Sequence, residues 1–144
     1  MIDDRYLLTG DTVFLQSVGR PDLGGMVNEW SAILFSTLQK IRSYDPGLHI
    51  LPGHYINWKE ANADLIFMDT LGHAIAINKD IFELPNSDEF LKFIQGNMRE
   101  QPPEYATIRK VNANLVEVTD EMAETLDLGK NECAASAYAA QKRE

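Results

Sequence analysis

Two short apolar runs, each ending in a tight turn that carries a polar side chain, flank one long helical stripe, and this alternation constrains the fold most. The first run is Tyr6-Leu7-Leu8, followed by Thr9-Gly10-Asp11-Thr12-Val13-Phe14. Short apolar stretches bounded by turn residues read as buried strands. Between Met26 and Tyr44 the period changes: Trp30, Ile33, Leu34, Leu38, Ile41 and Tyr44 recur at steps of three and four, the signature of one helical face. Asp45-Pro46-Gly47 stops that helix. Leu48-His49-Ile50-Leu51 then reads as a second strand, broken by Pro52-Gly53-His54. A strand, a sharp turn and a polar residue is how α/β proteins present chemistry at the carboxyl ends of strands.

Downstream, Leu71, Ala74, Ile75 and Asn78 predict a short helix. Ser87 reads as the N-cap of a helix carrying Phe90, Leu91, Phe93, Ile94 and Met98. Beyond Pro102-Pro103, Tyr105, Ile108 and Val111 give a further weak stripe, and Asp120 reads as the cap of a helix from Glu121 to Leu128 with Gly129 as its C′ residue. The fold class is α/β, with more helix than strand and a small sheet. No linker or repeat divides the 144 residues, which suit one domain with a real core. We place the folded portion at residues 1–132 and a polar, Ala-rich tail prone to fraying at 133–144.

Charge narrows the partners. With 13 basic against 22 acidic residues the net charge is −9, a field that repels a phosphate backbone, and no basic patch offsets it. Nucleic-acid binding is therefore not expected. The longest stretch free of charged residues, Pro46 to Trp58, is 13 residues with Pro-Gly inside it, too short and broken to span a bilayer. The first residues, Met-Ile-Asp-Asp-Arg, do not resemble a secretory signal, and a single cysteine, Cys133, excludes an internal disulfide framework. These features suit a soluble cytoplasmic protein. Cys133 has no basic neighbour closer than Lys130 and reads as a structural thiol.

Three residues carry candidate chemistry. Asp11, fixed between two apolar runs, suits a metal ligand or general base, though taken alone an Asp there reads first as a turn cap. His54 leaves its strand sharply after Pro52-Gly53, so its imidazole suits a metal site, or an ordinary hydrogen-bonded loop position. Arg20, two residues before Asp22 on a Gly-rich loop, either binds an anionic substrate group or braces the loop against that aspartate. His49 and His73 read as structural. Phosphate loops, nucleophile elbows and His-Glu-x-x-His are all absent from the sequence.

Taken together, Leu7-Leu8-Thr9-Gly10-Asp11-Thr12-Val13-Phe14, Val18-Gly19-Arg20-Pro21-Asp22-Leu23 and Leu51-Pro52-Gly53-His54 resemble the second half of a metallo-β-lactamase-fold enzyme. The branch they are most similar to is that of glyoxalase II and the persulfide dioxygenases, including rhodanese-linked members. Asn97-Met98-Arg99, Gln101-Pro102-Pro103-Glu104-Tyr105, Ile108-Arg109 and Asn131-Glu132-Cys133-Ala134 extend the likeness along the chain.

The resemblance implies an αββα sandwich with metal, zinc or iron, at one edge of two sheets. Asp11 matches the aspartate that ligates or bridges the metals. His54 matches the last histidine of the set, a ligand of the second metal in two-zinc hydrolases and not a direct ligand in one-iron dioxygenases. Arg20 lies where that branch keeps an arginine near the substrate channel. The implied substrate is a small thiol or thioester.

The His-x-His-x-Asp-His motif that supplies most ligands precedes these segments in that family and is not in this chain. The expectation is half a sandwich with an open sheet edge and a bare apolar face. It would be inactive alone and paired with itself or with a missing amino-terminal half. The alternatives are a non-catalytic assembly module, or a new metal site between two copies built from Asp11, His54 and His73.

Overall fold

In the computed structural model, strand β1 (Tyr6–Gly10) lies parallel to β2 (His49–Pro52), with Tyr6 facing His49, Leu7 facing Ile50 and Leu8 facing Leu51. Parallel neighbours need a crossover connection, and helix α1 (Val27–Arg42) supplies it. A two-residue strand, β3 (Asp69–Thr70), pairs antiparallel on the other side of β2, so the sheet order is β1-β2-β3. The remaining helices are α2 (Leu71–Ile77), α3 (Lys79–Phe82), α4 (Ser87–Gly96), α5 (Glu104–Asn112) and α6 (Asp120–Leu128). Residues 1–23, 25–98 and 104–128 are described; Cys133, Gly129 and the 133–144 tail lie outside them. The chain divides into two units, Met1–Met98 and Arg99–Glu144.

In the first unit the core forms on one face of the sheet. Ile50 is fully buried and Leu7 packs beside it against Leu38 and Ile41 of α1, Leu71 and Ala74 of α2, Phe82 of α3, and Phe90 and Ile94 of α4. Burying each large side chain of this kind contributes roughly 1.5–3 kcal/mol. Arg42 ties α1 to the end of α3 by donating to the Phe82 carbonyl at 2.9 Å. Strand alternation turns Tyr6, Leu8, His49 and Leu51 to the opposite face. There Leu8 is 59% exposed, and the Tyr6 and His49 rings lie against each other at 5.8 Å. On this second face Leu8 is exposed while Tyr6, His49 and Leu51 are half-buried.

Several local expectations are corrected. The Val13-Phe14 run is not a strand. Thr12 donates to the Thr9 carbonyl, the Thr9 hydroxyl donates to the Val13 carbonyl at 2.7 Å, and the chain doubles back so that Val13 bridges Val18. Val13 is still fully buried, so its hydrophobicity serves the core without a ladder. The polar pair Asp69-Thr70 forms a strand where alternation gave no signal. On α1, Leu38 and Ile41 are buried, but Trp30 and Ile33 are 41% and 65% exposed. Trp30 and Ile33 stand outside the core, while Leu34 between them and Leu38 packs against it.

Caps shift by one residue. Asn86, not Ser87, accepts the Glu89 amide at 2.9 Å, and Thr119, not Asp120, accepts the Met122 amide at 3.2 Å. The second unit contains α5 and α6, and no residue of α5 is buried. Among the described residues, no helix is long and apolar enough to cross a membrane.

Candidate functional site

The crossover places the carboxyl ends of β1 and β2 side by side, and both candidate ligands emerge there. Asp11 follows the last residue of β1 directly, and His54 stands two residues beyond β2. A register shift between Leu8 and Gly10 brings Gly10 opposite Pro52, and Gly53 donates its amide to the Gly10 carbonyl at 2.7 Å. His54 Nδ1 then lies 2.6 Å from Asp11 Oδ1. Phe14 approaches the imidazole edge-on, with ring centroids 6.0 Å apart at 82°. The pair is open to solvent, with the His54 and Asp11 side chains 49% and 69% exposed.

Close backbone approach explains the glycines around Asp11. A Cβ on Gly53 would lie 2.6 Å from Asp11 Oδ1, and one on Gly19 would lie 2.1 Å from the Asp11 carbonyl oxygen. Any larger residue at either position displaces part of Asp11.

Arg20 sits on the loop between β1 and α1. Its Nε donates to Asp22 Oδ1 at 3.1 Å, and its Nη2 contacts Asp22 Oδ2. Asp22 is buried and the Arg20 side chain is 21% exposed, so this fork–fork pair braces the loop. The same arginine lines a cleft of about 350 Å³ with Asp11, Thr12, Trp30, Ile33 and Thr37. The structure therefore brings Arg20 and Asp11 to one concavity while committing the guanidinium to Asp22.

His73 does not join this site; its Nδ1 lies 2.5 Å from Asp69 Oδ2 at the start of α2. His49 lies against Tyr6, with ring centroids 5.8 Å apart and planes tilted by 33°. Two features escaped the sequence reading. One is the Asp69–His73 pair, hidden because Asp69 belongs to a strand rather than to the helix that carries its partner. The other is an aromatic cluster beside His54, where the Tyr55 and Phe67 rings stack at 3.8 Å and Trp58 lies 5.5 and 5.4 Å from them. The Tyr55 and Trp58 spacing was visible, but Phe67 reaches them only through the fold.

An imidazole and a carboxylate in contact at a sheet edge are chemically suited to zinc or iron. Two donors fall short of the three or four protein ligands such ions take. Among the described residues, no group of three or more His, Cys, Asp or Glu side chains stands ready for a metal. The pair fits a metal as part of a ligand set.

The fold has a known counterpart. The chain is similar to the 2.1 Å crystal structure of a metallo-β-lactamase from Staphylococcus aureus subsp. aureus COL, with a TM-score of 0.61 and 24% sequence identity over 81% of this chain and 33% of that one. No protein-family profile and no curated protein matches the chain. The likeness establishes the fold: the chain is a mixed α/β structure matching part of a metallo-β-lactamase fold, and it spans about a third of the length of that structure.

Proposed function

We propose that this chain is the carboxyl-terminal part of a metal-dependent metallo-β-lactamase-fold enzyme, in which Asp11 and His54 are two ligands of a set completed by another segment. The observation that carries the reading is the 2.6 Å approach of His54 Nδ1 to Asp11 Oδ1 at the carboxyl ends of two parallel strands. The parent chemistry is hydrolysis of a thioester or oxygenation of a small thiol persulfide, with zinc or iron respectively. A bound metal of this kind supplies Lewis acidity, and zinc lowers the pKa of its water to about 7.

The protein's own residues do the rest. Asp11 contributes anionic charge and His54 a neutral nitrogen donor. Phe14 restricts the imidazole, and Gly19 and Gly53 leave the space that Asp11 needs. Arg20 borders the cleft through which an anionic group of the substrate would approach Asp11. The isolated chain is inactive in this reading, because most of the ligand set lies elsewhere. The open sheet face around Leu8 supports a covering partner, either the missing amino-terminal half or a second copy. The location is cytoplasmic and the substrate a small thiol or thioester.

The test is elemental analysis of the purified chain beside an Asp11→Ala, His54→Ala double variant. The same comparison is then made after co-expression with a segment carrying His-x-His-x-Asp-His. Near-stoichiometric zinc or iron that appears on co-expression and is lost in the double variant supports the proposal. Equal metal in both forms refutes it. A second reading, a non-catalytic assembly module, is favoured by the two-donor count among the described residues. It predicts a complex with the partner segment that binds no metal.

A further inference from the structure

Helix α1 carries more apolar surface than the core uses. Leu38 and Ile41 of its stripe are buried, whereas Trp30 and Ile33, nearer its amino terminus, are exposed. Both line the cleft of about 350 Å³ that Asp11 also borders, with Leu34 and Thr37 on the helix side and Pro21 on the loop side. That volume is at the lower end of small-molecule sites. From Trp30 to Thr37 the helical wall runs two turns, about 10 Å. Polar groups along the cleft are already engaged. The Thr37 hydroxyl donates to the Ile33 carbonyl at 2.8 Å, and the Gly19 amide donates to the Thr12 carbonyl at 3.0 Å. The Arg20 guanidinium shares its charge with buried Asp22. A polar arm laid on this wall would give up water and gain few hydrogen bonds in return, whereas a hydrocarbon arm loses nothing by leaving water.

We infer that the α1 wall of this cleft is the subsite for an apolar acyl arm, so that the substrate class is a medium-chain acyl thioester. This rests on the proposal that Asp11 and His54 mark the reacting end, and it names what lies along the rest of the cleft. Continuity argues for the substrate as the occupant. Asp11 belongs both to the cleft and to the His54 pair, so an arm on the wall has the candidate site at its end. Trp30 offers the broad flat contact, and Ile33 and Leu34 extend it along the helix.

The probes are N-acetylcysteamine thioesters from butyryl to octanoyl, titrated into the full chain without metal and followed by NMR. The two tryptophans, Trp30 and Trp58, report the cleft and the aromatic cluster separately. Shifts are expected at Trp30 and along α1, with Kd falling about twofold per added methylene, as a wall open on one side buries about half of each group. Ile33→Glu changes an exposed position the core does not use, and is expected to abolish the dependence on chain length while the melting temperature stays unchanged. Affinity independent of chain length, or shifts confined to Trp58, overturns the inference. So does octanoyl binding that Ile33→Glu leaves intact. Displacement of the octanoyl probe by a co-expressed segment carrying His-x-His-x-Asp-His, with Trp30 then protected, would give the wall to that segment instead. The Asp11→Ala, His54→Ala variant is expected to keep the length dependence, because the α1 wall is untouched. The subsite can therefore fail while the metal reading stands, and the reverse.

Discussion

Gly19 and Gly53 both border Asp11, but against different atoms, and the difference predicts two distinct outcomes for Gly→Ala. At Gly19 the new Cβ would lie 2.1 Å from the Asp11 carbonyl oxygen and 3.3 Å from its carbon. Both are backbone atoms tied into a turn, since the Gly19 amide donates to the Thr12 carbonyl at 3.0 Å. The clash is relieved only by moving the backbone, so Gly19→Ala is expected to cost about 3 kcal/mol, the upper end of overpacking. With a urea dependence of about 2 kcal/mol per molar, the midpoint falls by about 1.5 M.

At Gly53 the nearest atom is Asp11 Oδ1 at 2.6 Å, the end of an exposed side chain that can rotate away, and the Gly10 carbonyl carbon at 3.1 Å is only tight. Gly53→Ala is therefore expected to cost about 1 kcal/mol, a midpoint shift of about 0.5 M. The larger effect is local, because the rotation removes the His54–Asp11 contact. Urea unfolding followed by tryptophan fluorescence gives the two midpoints, and the His54 ring nitrogen shifts in NMR report the contact. Equal midpoints for the two variants would refute the assignment of backbone against side-chain clash. An unchanged His54 spectrum in Gly53→Ala would refute the packing account of the pair.

Two further predictions follow from buried polar groups. Arg20→Lys keeps the charge but loses the two-pronged contact with buried Asp22, and is expected to lower stability by about 1.5 kcal/mol; an unchanged melting temperature would free Arg20 for a role purely in binding. Asn78, 3% exposed, donates from one side-chain nitrogen to the Leu15 and Ala74 carbonyls at 3.2 and 2.8 Å. Asn78→Ala is expected to cost about 2 kcal/mol by leaving the buried Leu15 carbonyl unpaired, and a calorimetric melting temperature within 2 °C of the parent, against the roughly 8 °C that loss implies, would contradict it.

What was legible in the sequence is what local chemistry dictates. Gly10-Asp11 and Pro52-Gly53-His54 announce tight turns because few other residues make them, and the turns fix where the two side chains leave the strands. The α1 stripe was legible for the same reason. Its exposed half was not, because whether Trp30 and Ile33 are covered depends on what else packs there, and periodicity says only that they share a face. β3 was illegible because two residues, both polar, give no period. Its place comes from pairing with His49 and Ile50 across the sheet. The Val13 run was misread because a buried apolar residue in a turn and one in a strand look alike in a short window, and the Thr9 hydroxyl bond decides between them.

The geometry also bears on how the two proposed ligands are kept in order. Asp11 and His54 are 43 residues apart, yet both positions are set within one strand–helix–strand unit: the parallel register, the Gly53–Gly10 hydrogen bond and the two close-approach glycines. In the proposed reading, a metal meeting the isolated chain would find only these two donors and be held weakly. A metal meeting the assembled sandwich would find the two donors' backbones already side by side, so only their exposed side chains would remain to be ordered. The coupling is reciprocal: whatever the metal gains from the second segment, the second segment gains from the metal. Zinc or iron should therefore tighten the association of the two parts by the same factor by which association tightens the metal. An association constant unaffected by chelator, measured with the Asp11→Ala, His54→Ala variant as baseline, would show that the pair and the interface are independent.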